Sequence, residues 1–140
     1  MEKIYLDTFV FMDLLSDNPE FARKALAYLQ RIKSGECGGV ISSILFAELA
    51  FHIRRRHDAE KAEEIVYCIE SLPNVSVIRV DGEIAKSAGM IRAHYMKRIP
   101  KKLTYFDCIH LATAIREGCV KFVTGDKGFR DIKEIAVEIY

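Results

Sequence analysis

Apolar positions along this chain follow two periods in turn, one suited to strands and one to helices. Lys3-Ile4-Tyr5-Leu6 reads as a short strand, and Phe9 to Leu15 as a short helix. Pro19 then opens a longer helix, with Ala22, Ala25, Leu26, Leu29 and Ile32 at the 3.6-residue period. Gly35, Gly38 and Gly39 are expected to break the chain before a short strand around Val40-Ile41. Ser43 can cap the next helix, which runs to about Arg56. Another amphipathic helix carries Ala62, Ile65, Val66, Ile69 and Leu72 and ends at Pro73-Asn74. Val75 to Val80 alternates as a strand does, and Asp81-Gly82 starts a helix with Ile84, Ala88, Ile91 and Tyr95 on one face. Pro100 interrupts that pattern. Thr104 begins a helix that stops at Gly118, Val120 to Thr124 reads as a buried strand, and Ile135 to Tyr140 as a final one.

Strands separated by helices of this length require crossover connections. They imply a mainly parallel sheet of four or five strands covered on both faces, a three-layer α/β/α arrangement. No linker, repeat or low-complexity stretch divides the chain, so residues 1–140 are read as one domain. Half the residues are hydrophobic and 29% are charged, the balance of a globular protein and not of a disordered or fibrous one. No apolar run approaches the roughly 20 residues of a membrane span, and Met1-Glu2-Lys3-Ile4 opens a strand and not a signal peptide. A cytoplasmic location is expected. The formal charge of +1 gives no global attraction for nucleic acid, so any such binding must use local basic clusters. Cys37, Cys68, Cys108 and Cys119 have no C-x-x-C spacing, which argues against a zinc or redox motif, and all four read as small core residues. Few amide side chains (Asn18, Asn74, Gln30), no Trp and abundant Lys, Glu and Ile resemble a thermophile's composition, in which intracellular disulfides do occur.

Four acids change the picture. Asp7 closes the run Ile4-Tyr5-Leu6, Glu48 sits within Ile44-Leu45-Phe46-Ala47, Asp107 follows Tyr105-Phe106, and Asp126 follows Phe122-Val123-Thr124-Gly125. Desolvating an unpaired carboxylate costs several kcal/mol or shifts its pKa. Asp7 and Asp126 each follow a strand and so belong at the carboxyl edge of the sheet, where open α/β sheets bind ligands. Asp107 lies in the first turn of the helix before the Asp126 strand, and Glu48 lies early in the helix after Val40-Ile41. If these four meet, protons or a cation must relieve their repulsion, and oxygen-only ligation suits Mg2+ or Mn2+.

Each acid also has a local explanation. Asp107 stands three residues after Thr104 and completes a capping-box pattern. Asp126 before Lys127-Gly128 can shape a turn, and Asp7 before Thr8 can cap the short helix. Glu48 can pair with a nearby Arg or with His52. For a site to be absent, all four local explanations must hold together.

The same residues carry a family resemblance. Leu6-Asp7-Thr8, the helical Glu48 after Ser42-Ser43, the block from Tyr105 through Asp107 and His110 to Ala114, and Val123-Thr124-Gly125-Asp126 with Phe129 occur in the order of the PIN domain family. Over nearly its whole length the chain resembles that family, most closely the VapC-type toxins of prokaryotic toxin–antitoxin pairs. The resemblance implies that Asp7, Glu48, Asp107 and Asp126 form the catalytic metal site, with Thr124 and Thr8 supporting it. It implies an endoribonuclease that uses one or two Mg2+ or Mn2+ ions to activate water against an RNA phosphodiester, an antitoxin protein that covers the site, and a homodimer. One departure is Phe9, where the family usually has a small polar residue that would order water or metal near the first Asp. A PIN domain in RNA processing, or a degenerate module that binds without cutting, are the alternatives.

RNA requires cations near the acids. Lys97, Arg98, Lys101 and Lys102 immediately precede the Asp107 helix and are the first candidates for phosphate contacts, with Lys127 and Arg130 beside Asp126. Arg54-Arg55-Arg56 lies about two turns beyond Glu48 and reads more simply as a complement to the helix dipole. His94 and His110 read as ordinary packed or surface histidines. Two other acid-using classes fit less well. A haloacid-dehalogenase-type phosphatase needs a second Asp where Phe9 stands, and a phospho-receiver has no use for a helical Glu48.

Overall fold

The structure, a computed structural model, describes residues 1–140. Its five strands are β1 (Lys3–Leu6), β2 (Gly38–Ser42), β3 (Val75–Ile78), β4 (Lys121–Thr124) and β5 (Val137–Ile139), and all four pairings between them are parallel. The helices are α1 (Thr8–Leu14), α2 (Pro19–Lys33), α3 (Ile44–Arg56), α4 (Ala59–Glu70), α5 (Gly82–Tyr95) and α6 (Tyr105–Arg116). Strand order is β3-β2-β1-β4-β5. The chain winds outward from β1 through β2 to β3, then crosses back to add β4 on the other side of β1. The order therefore reverses between β1 and β4, and the crevice at their carboxyl ends is the switch point where such sheets bind ligands.

Alternation along the strands builds the three layers. Tyr5, Val40 and Phe122 are in register and feed one core, which α5 and α6 close through Ile84, Ala88, Leu111 and Ala114. Leu6 and Val123 are paired, and with Ile4 and Ile41 they point the other way, into a core filled by Phe11, Ala25, Ile32, Leu45, Leu49 and Ile69 from α1 to α4. Each face of the sheet thus has its own apolar layer. Helix α6 is buried almost all round, at Cys108, His110, Leu111, Ala112, Thr113 and Ala114, because it packs on α5 as well as on the sheet. It ends as expected. Gly118 adopts φ +67°, its N–H donates to Ile115 O, and Cys119 N–H donates to Ala114 O, the double closure of a Schellman motif.

Two expectations change. Gly38 and Gly39 lie inside β2 and do not break it. Gly39 is there for space, since a Cβ would come within 2.9 Å of Ile32 Cδ1 and 3.1 Å of Val75 Cγ2. All four cysteines are free, and Cys68 is exposed on α4 while the other three are buried. No helix is long and apolar enough to cross a membrane.

Candidate active site

Asp7 follows β1 directly, and its N–H still donates to Val123 O (3.0 Å), so the ladder with β4 fixes where its side chain starts. By position Asp7 is the N-cap of α1, yet its carboxylate makes no capping bond. Instead the buried Asp7 Oδ2 accepts from Thr124 Oγ1 at 2.8 Å, across 117 positions of sequence. Thr124 Oγ1 in turn accepts from the Asp126 N–H at 3.0 Å. One fully buried hydroxyl therefore ties both strand-end acids together.

The other acids are joined in the same way. Glu48, on the second turn of α3, accepts at Oε1 from Thr8 Oγ1 (2.7 Å) and from His110 Nε2 (2.6 Å), and the same imidazole nitrogen is 4.0 Å from Asp7 Oδ1. Asp107 does complete the capping box of α6: Thr104 N–H donates to Oδ2 at 2.9 Å, and Asp107 N–H donates to Thr104 Oγ1 at 3.1 Å. That same Oδ2 lies 3.6 Å from Lys101 Nζ, which donates at 2.6 Å to Asp126 Oδ2. Asp126 Oδ1 accepts from Gly128 N–H at 2.8 Å, so the local turn is also real. The four acids form one string through His110, Thr124 and Lys101.

Charge in this string is partly balanced by the protein itself. Burial pushes the Asp7 carboxyl up; His110 and Thr124 pull it down, and Asp107 and Glu48 add to the rise, with the net shift upward. For Glu48, burial also raises the pKa, but the His110 and Thr8 hydrogen bonds outweigh it and hold the carboxyl below its usual range. Burial lowers the His110 pKa, while Glu48, Asp7 and Asp107 raise it further, so it ends above the ordinary value. The Lys101 ammonium likewise loses by burial and gains more from Asp126, Asp107 and Asp7. For Asp7, then, the partners that favour the carboxylate do not fully offset the cost of burying it.

The basic residues divide. Lys97, Lys102 and Lys127 are exposed and make no ion pair. Arg98 turns back to His94 O, and Arg130 Nε donates to Lys127 O at 3.0 Å. Lys101 is the cation that reaches the acids: its ammonium lies against Asp126 and Asp107. Its stem passes over Gly128, where a Cβ would sit 2.4 Å from Lys101 Cδ, and its ammonium lies 4.9 Å from the Phe129 ring centre. At the other end of α3, Arg54 bonds His57 O at 3.1 Å, in keeping with a helix-end role.

Two residues behind the acids were not legible as such. His110 is a packed histidine as read, but it is also the partner of Glu48, for which His52 or an arginine was expected. Its signal is spacing, since it stands one helical turn after Asp107 and so shares that face. Tyr5 Oη lies 2.6 Å from His110 Nδ1, a contact that no local pattern encodes. Phe9 is 44% exposed, so the hydroxyl of Thr8, and not the residue at position 9, supplies the polar contact after Asp7.

The PIN domain family model matches residues 4–135. The chain belongs to the PIN domain family. The fold of this PIN domain is also that of several toxin–antitoxin structures. VapBC2 from Rickettsia felis, bound to a promoter DNA fragment, is 18% identical, with 97% of each chain covered and a TM-score of 0.76. DNA-bound VapBC from Salmonella typhimurium is 23% identical, with 99% of this chain and 98% of that one covered and a TM-score of 0.73. VapC20 from Mycobacterium tuberculosis, a sarcin-ricin loop cleaving toxin, is 16% identical over 95% of this chain and 98% of that one, with a TM-score of 0.69. At these identities the likeness speaks for the fold. No curated protein matches the sequence.

No three acidic, His or Cys side chains of this PIN domain close around a single point as a preformed metal cage. The donors nevertheless suit a hard cation. They are carboxylate oxygens, one pair of them on the buried Asp7, and Mg2+ is commonly held by one or two carboxylates with waters and substrate phosphate.

Proposed function

We propose that this PIN domain is a Mg2+- or Mn2+-dependent endoribonuclease and the toxin of a VapBC-like toxin–antitoxin pair. The observation that carries the reading is the string of four acids at the β1/β4 switch point. Asp7, Glu48, Asp107 and Asp126 are the residues that would hold the ion. A divalent ion supplies a lowered pKa for an attacking water and neutralises charge that grows on the phosphate.

The chain's own residues do the rest. Thr124 keeps the Asp7 and Asp126 carboxylates at one edge. Lys101 offsets the charge of Asp126 and Asp107; a cation bound there would displace its ammonium, which would then be free to meet the RNA phosphate. Lys97, Lys102 and Lys127, with Arg98 and Arg130, are exposed cations that would meet the RNA backbone. Tyr105 and Phe106 are exposed just ahead of Asp107 and offer faces on which unpaired bases can stack.

An antitoxin partner is supported by the VapBC complexes that share the fold. A homodimer and a cytoplasmic location belong to the same reading. Binding without cleavage is the second reading. It rests on Phe9 and on Lys101, which gives the cluster a cation of its own.

The test is cleavage of structured RNAs, a sarcin-ricin loop among them, with Mg2+ or Mn2+, comparing wild type with Asp107→Asn. Metal-dependent cutting by wild type alone is expected. Equal cutting by both indicates a contaminant. Silence in both, with folded protein free of antitoxin, moves the weight to binding alone.

A further inference from the structure

Tyr5 and His110 are buried beside the acids and hold no ion and touch no substrate in that proposal. Tyr5 is 0% exposed and His110 1%. The Tyr5 ring is stacked on Phe122 at 5.3 Å and 7°, so its phenol cannot swing. Polar groups kept this dry persist when every hydrogen bond has a partner, and each of theirs does.

The partners fix where the hydrogens lie. Ser42 N–H, at the end of β2, donates to Tyr5 Oη at 3.1 Å. The phenol hydrogen is then left for the one acceptor in reach, His110 Nδ1 at 2.6 Å. An imidazole that accepts at Nδ1 carries its hydrogen at Nε2. From there it donates to Glu48 Oε1 at 2.6 Å, where the Thr8 hydroxyl also donates at 2.7 Å. A hydrogen on Nδ1 would strand that of Tyr5, because Ser42 already donates to the phenol oxygen.

Both donors thus converge on one oxygen of Glu48, and no protein group donates to the other. We infer that Tyr5 and His110 are positioning residues, a Ser42–Tyr5–His110 relay that fixes the plane of the Glu48 carboxylate and leaves its second oxygen free for a hard divalent cation. The inference deepens the metal-nuclease reading and rests on it. Outer partners of this kind orient a ligand before the ion arrives, and losing one typically weakens metal binding by about 10–100-fold.

The experiment uses Mn2+ itself as the probe. Free Mn2+ is counted by electron paramagnetic resonance in titrations of wild type, Tyr5→Phe, His110→Gln and His110→Leu. Histidine tautomers are read by 15N NMR on the metal-free proteins, and thermal unfolding confirms that each is folded. Wild type is expected to hold His110 as the Nε2–H tautomer, and Tyr5→Phe to lose that fixed state. The Mn2+ Kd is expected to rise by about tenfold in Tyr5→Phe and toward 100-fold in His110→Leu. His110→Gln, whose amide N–H can replace Nε2–H, is expected to stay closer to wild type. If His110→Leu does not fold, Tyr5→Phe, which removes one atom, decides the question. An unchanged Kd in a folded Tyr5→Phe, or hydrogen on Nδ1 in wild type, would overturn the relay and leave the nuclease reading standing. Wild type that binds no Mn2+ would overturn both.

Discussion

Replacing Lys101 with Met removes the one ammonium inside the acid string while keeping most of the stem that lies over Gly128 and Phe129. Lys101 Nζ is 2.6 Å from Asp126 and 3.6 Å from Asp107, with 19% of its side chain exposed. Unit charges about 4 Å apart attract by roughly 4 kcal/mol at an effective dielectric near 20. Desolvation and the entropy of pinning a long side chain return much of this. Exposed pairs net about 0–1 kcal/mol, and breaking a fully buried one costs about 3–5. The setting lies between, so Lys101→Met should cost about 1–3 kcal/mol. For a chain of this size that is a drop in Tm of roughly 3–9 °C in chelator. Metal reverses the comparison. An ion arriving on Asp126 or Asp107 must displace the ammonium in wild type and nothing in the variant, so its Mn2+ Kd should tighten by about tenfold, the equivalent of ~1.4 kcal/mol. Thermal unfolding in chelator and in saturating Mn2+, with a Mn2+ titration beside it, measures both effects. The same Tm loss in both buffers with an unchanged Kd would refute the reasoning and make Lys101 a structural lysine only.

Two further outcomes are expected. Gly39→Ala should destabilise the protein by about 1–3 kcal/mol, read as a lower urea midpoint with an unchanged slope, because the new methyl meets Ile32 and Val75 across β2. A wild-type midpoint would mean that α2 and β3 yield freely. Glu138→Gln should matter only above acid pH. Burial raises the Glu138 carboxyl, but bonds from Tyr28 (2.7 Å) and Lys121 (2.9 Å) outweigh it and hold it below its ordinary 4.5. An acid whose folded pKa is depressed gives stability that is present above the unfolded value and lost as pH falls through the folded one. The deficit of Glu138→Gln should therefore be full near neutrality and shrink below 4.5; a deficit that does not change with pH would contradict it.

How much of this the chain revealed depends on the range of the interaction concerned. Ile4-Tyr5-Leu6 and Phe122-Val123-Thr124 announce strands because alternation is local, and the crossovers between them require a parallel sheet. The strand-end positions of Asp7 and Asp126 follow from the same runs. Strand limits were less legible: Ile135 to Tyr140 narrows to Val137–Ile139, and Val75 to Val80 to Val75–Ile78, since pairing and not propensity ends a strand. The links between acids were not legible at all. Thr124 to Asp7, Glu48 to His110 and Tyr5 to His110 span 117, 62 and 105 positions, and no periodic pattern encodes such meetings. Gly39 misled because a glycine that makes room for Ile32 looks, in sequence, like one that makes a turn.

The hydroxyl of Thr124, which ties Asp7 to Asp126 across 117 positions, has a consequence for the protein during its own synthesis. Asp7 leaves the ribosome well before Asp126, the acid that Thr124 ties to it. Until β4 emerges and docks beside β1, the chain has neither the crevice nor the second strand-end carboxylate. A fragment released before β4 carries Asp7, Glu48 and Asp107 without the Thr124 hydroxyl and the Asp126 carboxylate. On the nuclease reading, the site would be completed in one step, when β4 docks, and not piece by piece as each acid is made.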